Sequence, residues 1–369
     1  MMKNLRFYLQ VIFTVATAAS CSLEDHPPQP SCTYLGYFLV QQAHNGAVKN
    51  VFNDDYNIDQ TSDHHPKKTT ALRTNVTRDT VRGVDTYTSA DSDQSLYTYD
   101  DGYLIQIART DITDQQSEKD NIFFLQSRTK KLHTETSEIT DFKYENGMLQ
   151  EANFKQTITY TPSNIAAATT ILTNKKEYQY DSQGHLKAVV FTESAGANSI
   201  TYYDNGLITS ITGVDQYGRS FTETFEYKDG VTKKITNSDG GAQEFTYDQK
   251  GNMTLIEITW NGVKKSQYQF WYDDSPKPGS SISITYKGIP TPLFITGIPQ
   301  NRQRYDEVNN TVKNETTSWE TQTTLIATID FTYTYNANKY PATRIDSWNN
   351  DNGVNRGFSK LAYKYGGCQ

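Results

Sequence analysis

Residues 178–189 read Tyr-Gln-Tyr-Asp-Ser-Gln-Gly-His-Leu-Lys-Ala-Val, and the same order of residue types returns along the chain. Two aromatic residues two positions apart are followed by Asp or Asn, then by Gly, and then by aliphatic residues. Side chains two positions apart lie on one face of a strand. Asp or Asn with Gly is typical of the tight turn of a β-hairpin. The stretch therefore predicts one antiparallel hairpin that carries its aromatic residues on one face.

Copies of this pattern lie between residues 97 and 345. They contain Tyr97, Tyr99 and Gly102; Phe142, Tyr144 and Gly147; Tyr178, Tyr180 and Gly184; Tyr202, Asp204 and Gly206; Phe225, Tyr227 and Gly230; Phe245, Tyr247 and Gly251; and, in divergent form, Tyr333, Tyr335 and Asn338. Because one hairpin is marginal in water, the copies are expected to pair edge to edge. We predict an all-β fold, a single large antiparallel meander of Tyr-rich hairpins that forms a soluble rolled sheet or barrel.

The composition agrees with strands and excludes a nucleic-acid partner. The chain of 369 residues holds 26 Tyr and 16 Phe, which bury large areas and favour pleated surfaces. Its formal net charge is -7, and its basic residues are scattered along the sequence. A basic cluster of the kind that binds nucleic acid is therefore missing.

The N-terminal residues have the composition of an export signal. Lys3 and Arg6 precede the apolar stretch 7–19, which is shorter than the roughly 20 residues that a spanning helix needs. Small residues then lead to Cys21, as in a bacterial lipoprotein signal whose Cys becomes the lipidated first residue. The alternative is soluble secretion with cleavage after Ala18.

These features divide the chain into three segments. Residues 1–20 are predicted to be a signal peptide, residues 21–31 a lipidated, Pro-containing tether, and residues 32–369 the β domain. Cys32 and Cys368 lie near the two ends of the β domain. A disulfide between them would join the first strand to the last, and two unpaired thiols are the alternative.

The hairpin copies resemble the YD repeats of large bacterial surface and toxin proteins. With its lipoprotein-like start, the chain resembles a family of Bacteroidetes lipoproteins of unknown function with a porin-like fold, a curved or closed antiparallel sheet. The segments 331–335 and 339–341 with Ile345 are similar to the ending of that family. The resemblance implies a lipid-anchored protein of the outer membrane, at the cell surface or the periplasmic face. It supplies no catalytic residue.

Recurring acids are the first candidates for catalysis, since glycosidases use two carboxylates. Asp100, Asp181, Asp204 and Asp248 occupy equivalent places in four copies, where Asp caps its own backbone in a turn. Recurrence favours this structural role. Fingerprints of serine hydrolases, phosphate loops and dinucleotide folds do not occur, so no catalytic residue and no cofactor are predicted. A hydrolase within residues 273–330 is the remaining enzymatic alternative.

Histidines and tryptophans are the other candidates for binding. His64 and His65 beside Asp63 could ligate a metal, but their polar surroundings favour a solvated loop, so no metal site is predicted. Trp319 and Trp348 lie off the repeat in polar surroundings. They could stack on a sugar or anchor a protein, or else cover a barrel end or a sheet edge.

The sequence predicts location and architecture more fully than activity. Residues 110–141, 156–176 and 273–330 are predicted to be insertions between the hairpins. We expect a non-enzymatic, lipid-anchored envelope protein that binds a glycan or a protein ligand through these insertions. The competing hypothesis is a structural or assembly partner of an outer-membrane protein.

Overall fold

The structure is a computed structural model, and its description covers residues 15–16, 33–45, 47–61, 65–123, 127–163, 166–276, 302–303, 309–319, 325–350 and 355–366. Within these ranges every regular element is a β-strand, so the predicted all-β class is confirmed. No helix of these residues is long and apolar enough to cross a membrane. Cys21, Cys32 and Cys368 lie outside the ranges, so lipidation and the disulfide stay predictions.

The first half of the chain forms long strands. They are β1 (Val15–Ala16), β2 (Thr33–Asn45), β3 (Val48–Gln60), β4 (Pro66–Asp79), β5 (Val84–Asp100), β6 (Tyr103–Phe123), β7 (Ser127–Glu145), β8 (Met148–Pro162) and β9 (Ala168–Tyr180). The middle strands are short. They are β10 (Leu186–Glu193), β11 (Asn198–Asp204), β12 (Leu207–Val214), β13 (Ser220–Lys228), β14 (Val231–Asn237), β15 (Gly241–Tyr247) and β16 (Met253–Trp260).

The last strands are intermediate in length. They are β17 (Val263–Pro276), β18 (Arg302–Gln303), β19 (Asn309–Ser318), β20 (Leu325–Tyr335), β21 (Pro341–Asn350) and β22 (Asn355–Gly366). β1 and β18 are two-residue strands that pair with each other in parallel. The other twenty described strands pair antiparallel with their neighbours in sequence and close into a barrel.

The barrel closes where its first strand meets its last. β2 pairs with β22 along their full lengths, from Thr33 opposite Gly366 to Asn45 opposite Asn355. The meander predicted from the hairpin copies is therefore present, and of the two predicted forms it is the closed barrel.

Two walls of the barrel differ in height. Strands β2 to β9, the tall wall, contain 13 to 21 residues each. Strands β10 to β16, the low wall, contain seven to nine. The segments 110–141 and 156–176, which the sequence predicts as insertions between hairpins, belong mostly to β6, β7, β8 and β9. That prediction is wrong, because the strands simply continue past the repeat.

The stretch 34–95, which departs from the repeat, also forms barrel strands. In β4, Thr69 and Ala71 face the interior and are buried, whereas the neighbouring Leu72 faces outward and is 60% exposed. Alternating side chains of a strand point to opposite faces, so this pattern separates an inner from an outer surface of the barrel. These strands lack the Tyr-Asp-Gly pattern, and the alternation of buried and exposed side chains determines which of their faces points inward.

Apolar side chains fill part of the interior. The low-wall cluster consists of Ile211, Phe225, Ile235, Phe245, Met253 and Ile256. The tall-wall cluster lies close to the Gly-containing turns and consists of Leu104, Phe142, Leu149, Ala152 and Tyr178, together with Val189 of the adjoining strand β10. Both clusters contain aliphatic and aromatic residues of the repeat, so the repeated pattern supplies the core.

The turns of the hairpins follow two designs. In the shorter design the two turn residues both have positive φ, as at Asn205 (49°) and Gly206 (79°). In the longer design a carboxylate caps the loop, and Asp181 Oδ1 accepts hydrogen bonds from the backbone of Gln183 (2.8 Å) and His185 (2.9 Å). Both designs suit Asp, Asn and Gly, the residues that punctuate the copies.

Several tyrosines, most of them in the repeat copies, fix their strand to the strand before it. The phenolic hydroxyl donates to a backbone carbonyl at 2.5 to 3.1 Å in seven places, which we call the tyrosine locks: Tyr99 to Pro66, Tyr144 to Leu104, Tyr180 to Leu149, Tyr227 to Ile208, Tyr272 to Met253, Tyr333 to Thr311 and Tyr365 to Pro341. Burial raises the pKa of Tyr180 to about 12, which keeps its hydroxyl protonated as a donor.

Candidate functional site

A cavity of about 570 Å³ lies inside the barrel beside the pairing of β2 with β22, and we call it the seam pocket. Its walls come from the inner faces of β2, β20, β21 and β22. The lining residues are Tyr37, Leu39, Gln41, Ile329, Phe331, Arg344, Asp346, Trp348, Ser359 and Leu361. A cavity of this size matches the usual range of small-ligand sites.

The seam pocket has three aromatic residues in its walls. They are Trp348, Phe331 and Tyr37, and they come from three different strands. Trp348 lies against the backbone of the neighbouring strand at Gly357, where a Cβ atom would clash with the indole ring and with the Gln42 carbonyl. Gly357 therefore makes the space in which the indole ring sits.

The charged part of the seam pocket is an ion pair on β21. Arg344 Nη2 donates to Asp346 Oδ2 at 2.8 Å, and Ser359 Oγ donates to the same oxygen at 2.7 Å. Burial acts against the charge of Arg344, but Tyr363 and Asp346 outweigh it and raise the pKa of Arg344. The guanidinium carbon also lies 5.3 Å from the centre of the Phe331 ring. The pocket thus offers a fixed charge pair next to flat apolar surfaces.

A band of charged side chains continues from the pocket along the inner face of the tall wall. We call it the charge belt, and it consists of Asp54, Arg73, Asp91, Asp93, Arg109, Asp111 and Glu138. Two arginines link its strands. Arg73 lies 3.5 Å from Asp54 and 3.7 Å from Asp93, and Arg109 lies 2.9 Å from Asp93 and 3.0 Å from Glu138. The belt therefore crosses five neighbouring strands, from β3 to β7.

The seam pocket and the charge belt are contiguous. The Tyr37 hydroxyl, in the pocket wall, donates to Asp54 Oδ2 at 2.9 Å. Burial, and then the hydrogen bond to Asp54, raises the pKa of Tyr37 to about 12. Leu39, also in the wall, lies directly opposite Asp54 in the ladder. Asp54 is itself only 5% exposed, and it lies on the strand next to the pocket wall.

Three oxygens of the charge belt are buried without a hydrogen-bond partner among the described residues. They are the Oδ1 atoms of Asp54, Asp91 and Asp111. Burial raises the pKa of Asp111, and the neighbouring Asp93 and Asp91 add to the rise against the opposing effect of Arg109. Acceptors of this kind are costly to leave unpaired, and they are the chemical feature of the belt that could receive a ligand.

The two tryptophans singled out from the sequence lie in different environments. Trp348 lines the seam pocket. Trp319 follows the end of β19, is 37% exposed, and has the Lys264 Nζ 5.1 Å from its ring centre. The structure therefore places one of the two residues in the candidate site and does not bring them together.

The other candidates from the sequence take structural positions. His65 stacks on Tyr99 with ring centres 5.5 Å apart, and His64 lies outside the described residues. Asp181 and Asp248 cap their own turns, whereas Asp100 and Asp204 end their strands before turns of the shorter design. Among the described residues, no group of His, Cys, Asp and Glu could hold a metal ion.

Sequence reasoning missed the charge belt and the ion pair of Arg344 with Asp346. A signal was present in residues 91–93, where Asp91 and Asp93 share one face of a strand. Such a pair is typical of a solvated strand as well, and only the closed barrel shows that this face is internal.

Comparisons with known proteins assign no family. No protein-family model matches the chain, and no curated protein is similar to it. Among solved structures, a porin-like protein from Bacteroides uniformis is 15% identical, with a TM-score of 0.36 over 63% of this chain and 92% of that one. A porin-like protein from Bacteroides vulgatus is 10% identical, with a TM-score of 0.28 over 90% and 99%. CdiB from Acinetobacter baumannii is 8% identical, with a TM-score of 0.32 over 90% and 60%. Likeness at this level assigns no function, and the barrel rests on its own strand pairing.

Proposed function

We propose that the protein is a water-soluble barrel held at the bacterial outer envelope, and that it binds a small glycan in the seam pocket without catalysing a reaction. The observation that carries the proposal is the seam pocket itself, an internal cavity lined by three aromatic residues and by the ion pair of Arg344 with Asp346.

The seam pocket has the chemistry that sugar recognition requires. Sugar rings present C–H faces that pack on aromatic rings, and hydroxyl groups that bind to carboxylates and guanidinium groups. Trp348 and Phe331 supply the first kind of contact, and Arg344 and Asp346 supply the second. The cavity of about 570 Å³ has room for one or two sugar units, within the usual range of ligand sites.

The outer face of the barrel supports contact with water. Lys143 and Lys175 lie 2.6 and 2.7 Å from Glu151 across the outer face of the tall wall. Lys234 and Glu244, 2.7 Å apart, form a similar pair on the low wall. A barrel that spans a membrane presents an apolar band to lipid, so ion pairs on this face favour a soluble barrel.

The proposed location of the protein at the outer membrane is supported by its amino-acid sequence. The resemblance to Bacteroidetes lipoproteins and the position of Cys21 behind an apolar stretch support a lipid anchor at the outer membrane. Replacing Cys21 by Ala should move the protein from the membrane fraction to the aqueous fraction without detergent. A variant that stays in the membrane fraction would contradict both the lipid anchor and the soluble barrel.

Binding is favoured over hydrolysis by the described part of residues 273–330. Asp274 there is exposed and paired with Lys250, and Glu315 is paired with Lys313 at 3.2 Å. Asp273, the partly buried carboxylate next to Asp274, accepts hydrogen bonds from Tyr335 and Asn310. None of these three carboxylates is paired with a second buried carboxylate, as a hydrolase of the glycosidase type needs.

The test compares two tryptophan variants on a glycan array and by isothermal titration calorimetry. Trp348→Ala removes the aromatic wall of the seam pocket and should weaken glycan binding about tenfold or more, in line with the loss of a buried aromatic anchor. Trp319→Ala is the matched control, because it removes the same side chain from the outer surface. It should leave binding unchanged.

Circular dichroism shows whether each variant keeps its strands. Equal binding by the two variants would contradict the proposed site. Absence of binding to every glycan, together with capture of an envelope protein by the intact chain, would favour an assembly role.

A further inference from the structure

The charge belt carries more negative than positive charge. Its carboxylates are Asp54, Asp91, Asp93, Asp111 and Glu138, and its guanidinium groups are Arg73 and Arg109, so five negative charges face two positive charges. Arg73 and Arg109 are both engaged by carboxylates, and Asp91 lies opposite Arg73 in the ladder. The surplus lies inside the barrel, where the dielectric constant is lower than in water and an unpaired charge is more costly.

Two carboxylate oxygens of the charge belt also lack hydrogen-bond donors. Asp54 is only 5% exposed, and its Oδ1 atom accepts no hydrogen bond from the described residues. The same is true of Oδ1 of Asp91. These oxygens accept hydrogen bonds but donate none when ionised. A matching ligand therefore brings donors and positive charge, which an ammonium group supplies together.

The position of Asp54 connects this requirement to the seam pocket. Asp54 is joined to Tyr37 by a hydrogen bond of 2.9 Å and lies opposite Leu39, and both partners line the pocket. Neighbouring strands lie about 4.8 Å apart, so Asp54 on β3 is within about one sugar unit of the pocket wall on β2. Asp91 lies two strands further along the same inner face.

We propose that the seam pocket and the charge belt form one binding site for an oligosaccharide of amino sugars, in which one ring packs on Trp348 and the protonated amines of neighbouring units bind to Asp54 and Asp91. The inference rests on the proposed glycan-binding function and names its ligand class.

The experiment uses two probes with the same sugar rings. One is a β-1,4-linked trisaccharide of glucosamine with free amines, and the other is the same trisaccharide with every amine acetylated. Calorimetry at about pH 6 keeps the free amines protonated. The free-amine probe should bind about tenfold or more tightly than the acetylated probe, because hydrogen bonds to charged groups are the stronger kind.

Variants locate the effect. Asp91→Asn and Asp54→Asn each keep the shape of the side chain and should weaken binding of the free-amine probe about tenfold, and they should weaken binding of the acetylated probe by a clearly smaller factor. Asp114→Asn is the matched control, because Asp114 lies on β6 but faces outward, where its side chain is 69% exposed. Thermal unfolding shows that each variant is folded.

Four outcomes overturn the inference. If both probes bind equally and Trp348→Ala weakens both, the glycan site stands but the amino-sugar assignment fails. Tighter binding of the acetylated probe has the same meaning. If neither Asp54→Asn nor Asp91→Asn affects the free-amine probe, the charge belt is not part of the site. If neither probe binds, the ligand class is wrong, and neutral and acidic glycans then decide the proposed function separately.

Discussion

The low wall and the tall wall of the barrel use the same hairpin but differ in what their inner faces carry. In the low wall, Phe225, Phe245 and Ile256 belong to an apolar cluster, and Glu223 lies on the same face of its strand as Phe225. In the tall wall, the apolar cluster lies near the Gly-containing turns, and the charge belt occupies the strands beyond it.

The difference shows how one repeat produces both a core and a site. Close to the turns, the repeat places an aromatic or aliphatic residue on the inner face of almost every strand, and these residues pack together. Where the tall wall extends past the repeat, Arg109 and Asp111 take the corresponding inner positions. The stability of the barrel is therefore expected to reside mainly near the turns, and ligand contacts further along the tall wall.

The largest expected effect concerns the low-wall cluster. Phe245 is fully buried, and Phe245→Ala should lower the free energy of unfolding by about 3–5 kcal/mol, because it removes the ring and leaves a cavity. Denaturant unfolding measures the change. Ile171→Ala, on the outer face of the tall wall with 59% exposure, should change the free energy by less than about 0.5 kcal/mol. Equal effects would break the contrast between packed interior and exterior.

Lys176 gives the second prediction, since it is a buried lysine that lies opposite Ala152 of the tall-wall cluster. Burial lowers its pKa from 10.5 to about 8. Between these two pH values the unfolded chain holds a proton that the folded chain has released, so folding becomes more favourable as the pH rises. The difference between the native protein and Lys176→Met should therefore change by about 3 kcal/mol across this window. Unfolding at a series of pH values tests this, and a constant difference would contradict it.

The charge belt gives the third prediction. Arg109→Met leaves the carboxylates of Asp93 and Glu138 without their shared partner and should lower the free energy of unfolding by about 2 kcal/mol. Lys234→Met breaks an exposed ion pair with Glu244 and should cost less than about 1 kcal/mol. If the two substitutions change the free energy of unfolding equally, the ion pairs of the charge belt stabilise the protein no more than an exposed ion pair does.

The tyrosine locks give the smallest expected effect, and it should be the same in both walls. Tyr180→Phe and Tyr227→Phe each remove one hydrogen bond, to Leu149 (2.7 Å) and to Ile208 (2.9 Å), and should cost about 1 kcal/mol. Tyr202→Phe, in an exposed position, is the control. A cost in only one wall would show that the locks do not serve both walls alike.

Sequence reasoning could predict the hairpins because each one is encoded locally. Asn205 with Gly206 and Asp181 with Gly184 specify their turns within a few residues, and the paired aromatic residues specify the buried face. The tall-wall extensions lack these signals, so residues 110–141 were predicted as an insertion although they form long strands. A strand of alternating Thr, Asp and Gln is recognised only when its partners are known.

The candidate site could be predicted only in part. Trp348 was singled out as a ligand-binding residue because it is a large ring in polar surroundings, and it lines the seam pocket. Trp319 satisfied the same criterion and lies outside the site. Asp54, Arg109 and Arg344 were missed, because the side of the sheet they face depends on closure between β2 and β22, which are separated by nearly the whole chain.

The tyrosine locks also bear on how a barrel of this kind can evolve. Each lock joins a hairpin only to the strand immediately before it. A duplicated hairpin would therefore carry its own lock to the adjacent strand of the barrel. Antiparallel closure tolerates such gains in pairs of strands, because the first and last strands must still run in opposite directions. Gene duplication could thus widen the lumen step by step without redesigning any existing junction.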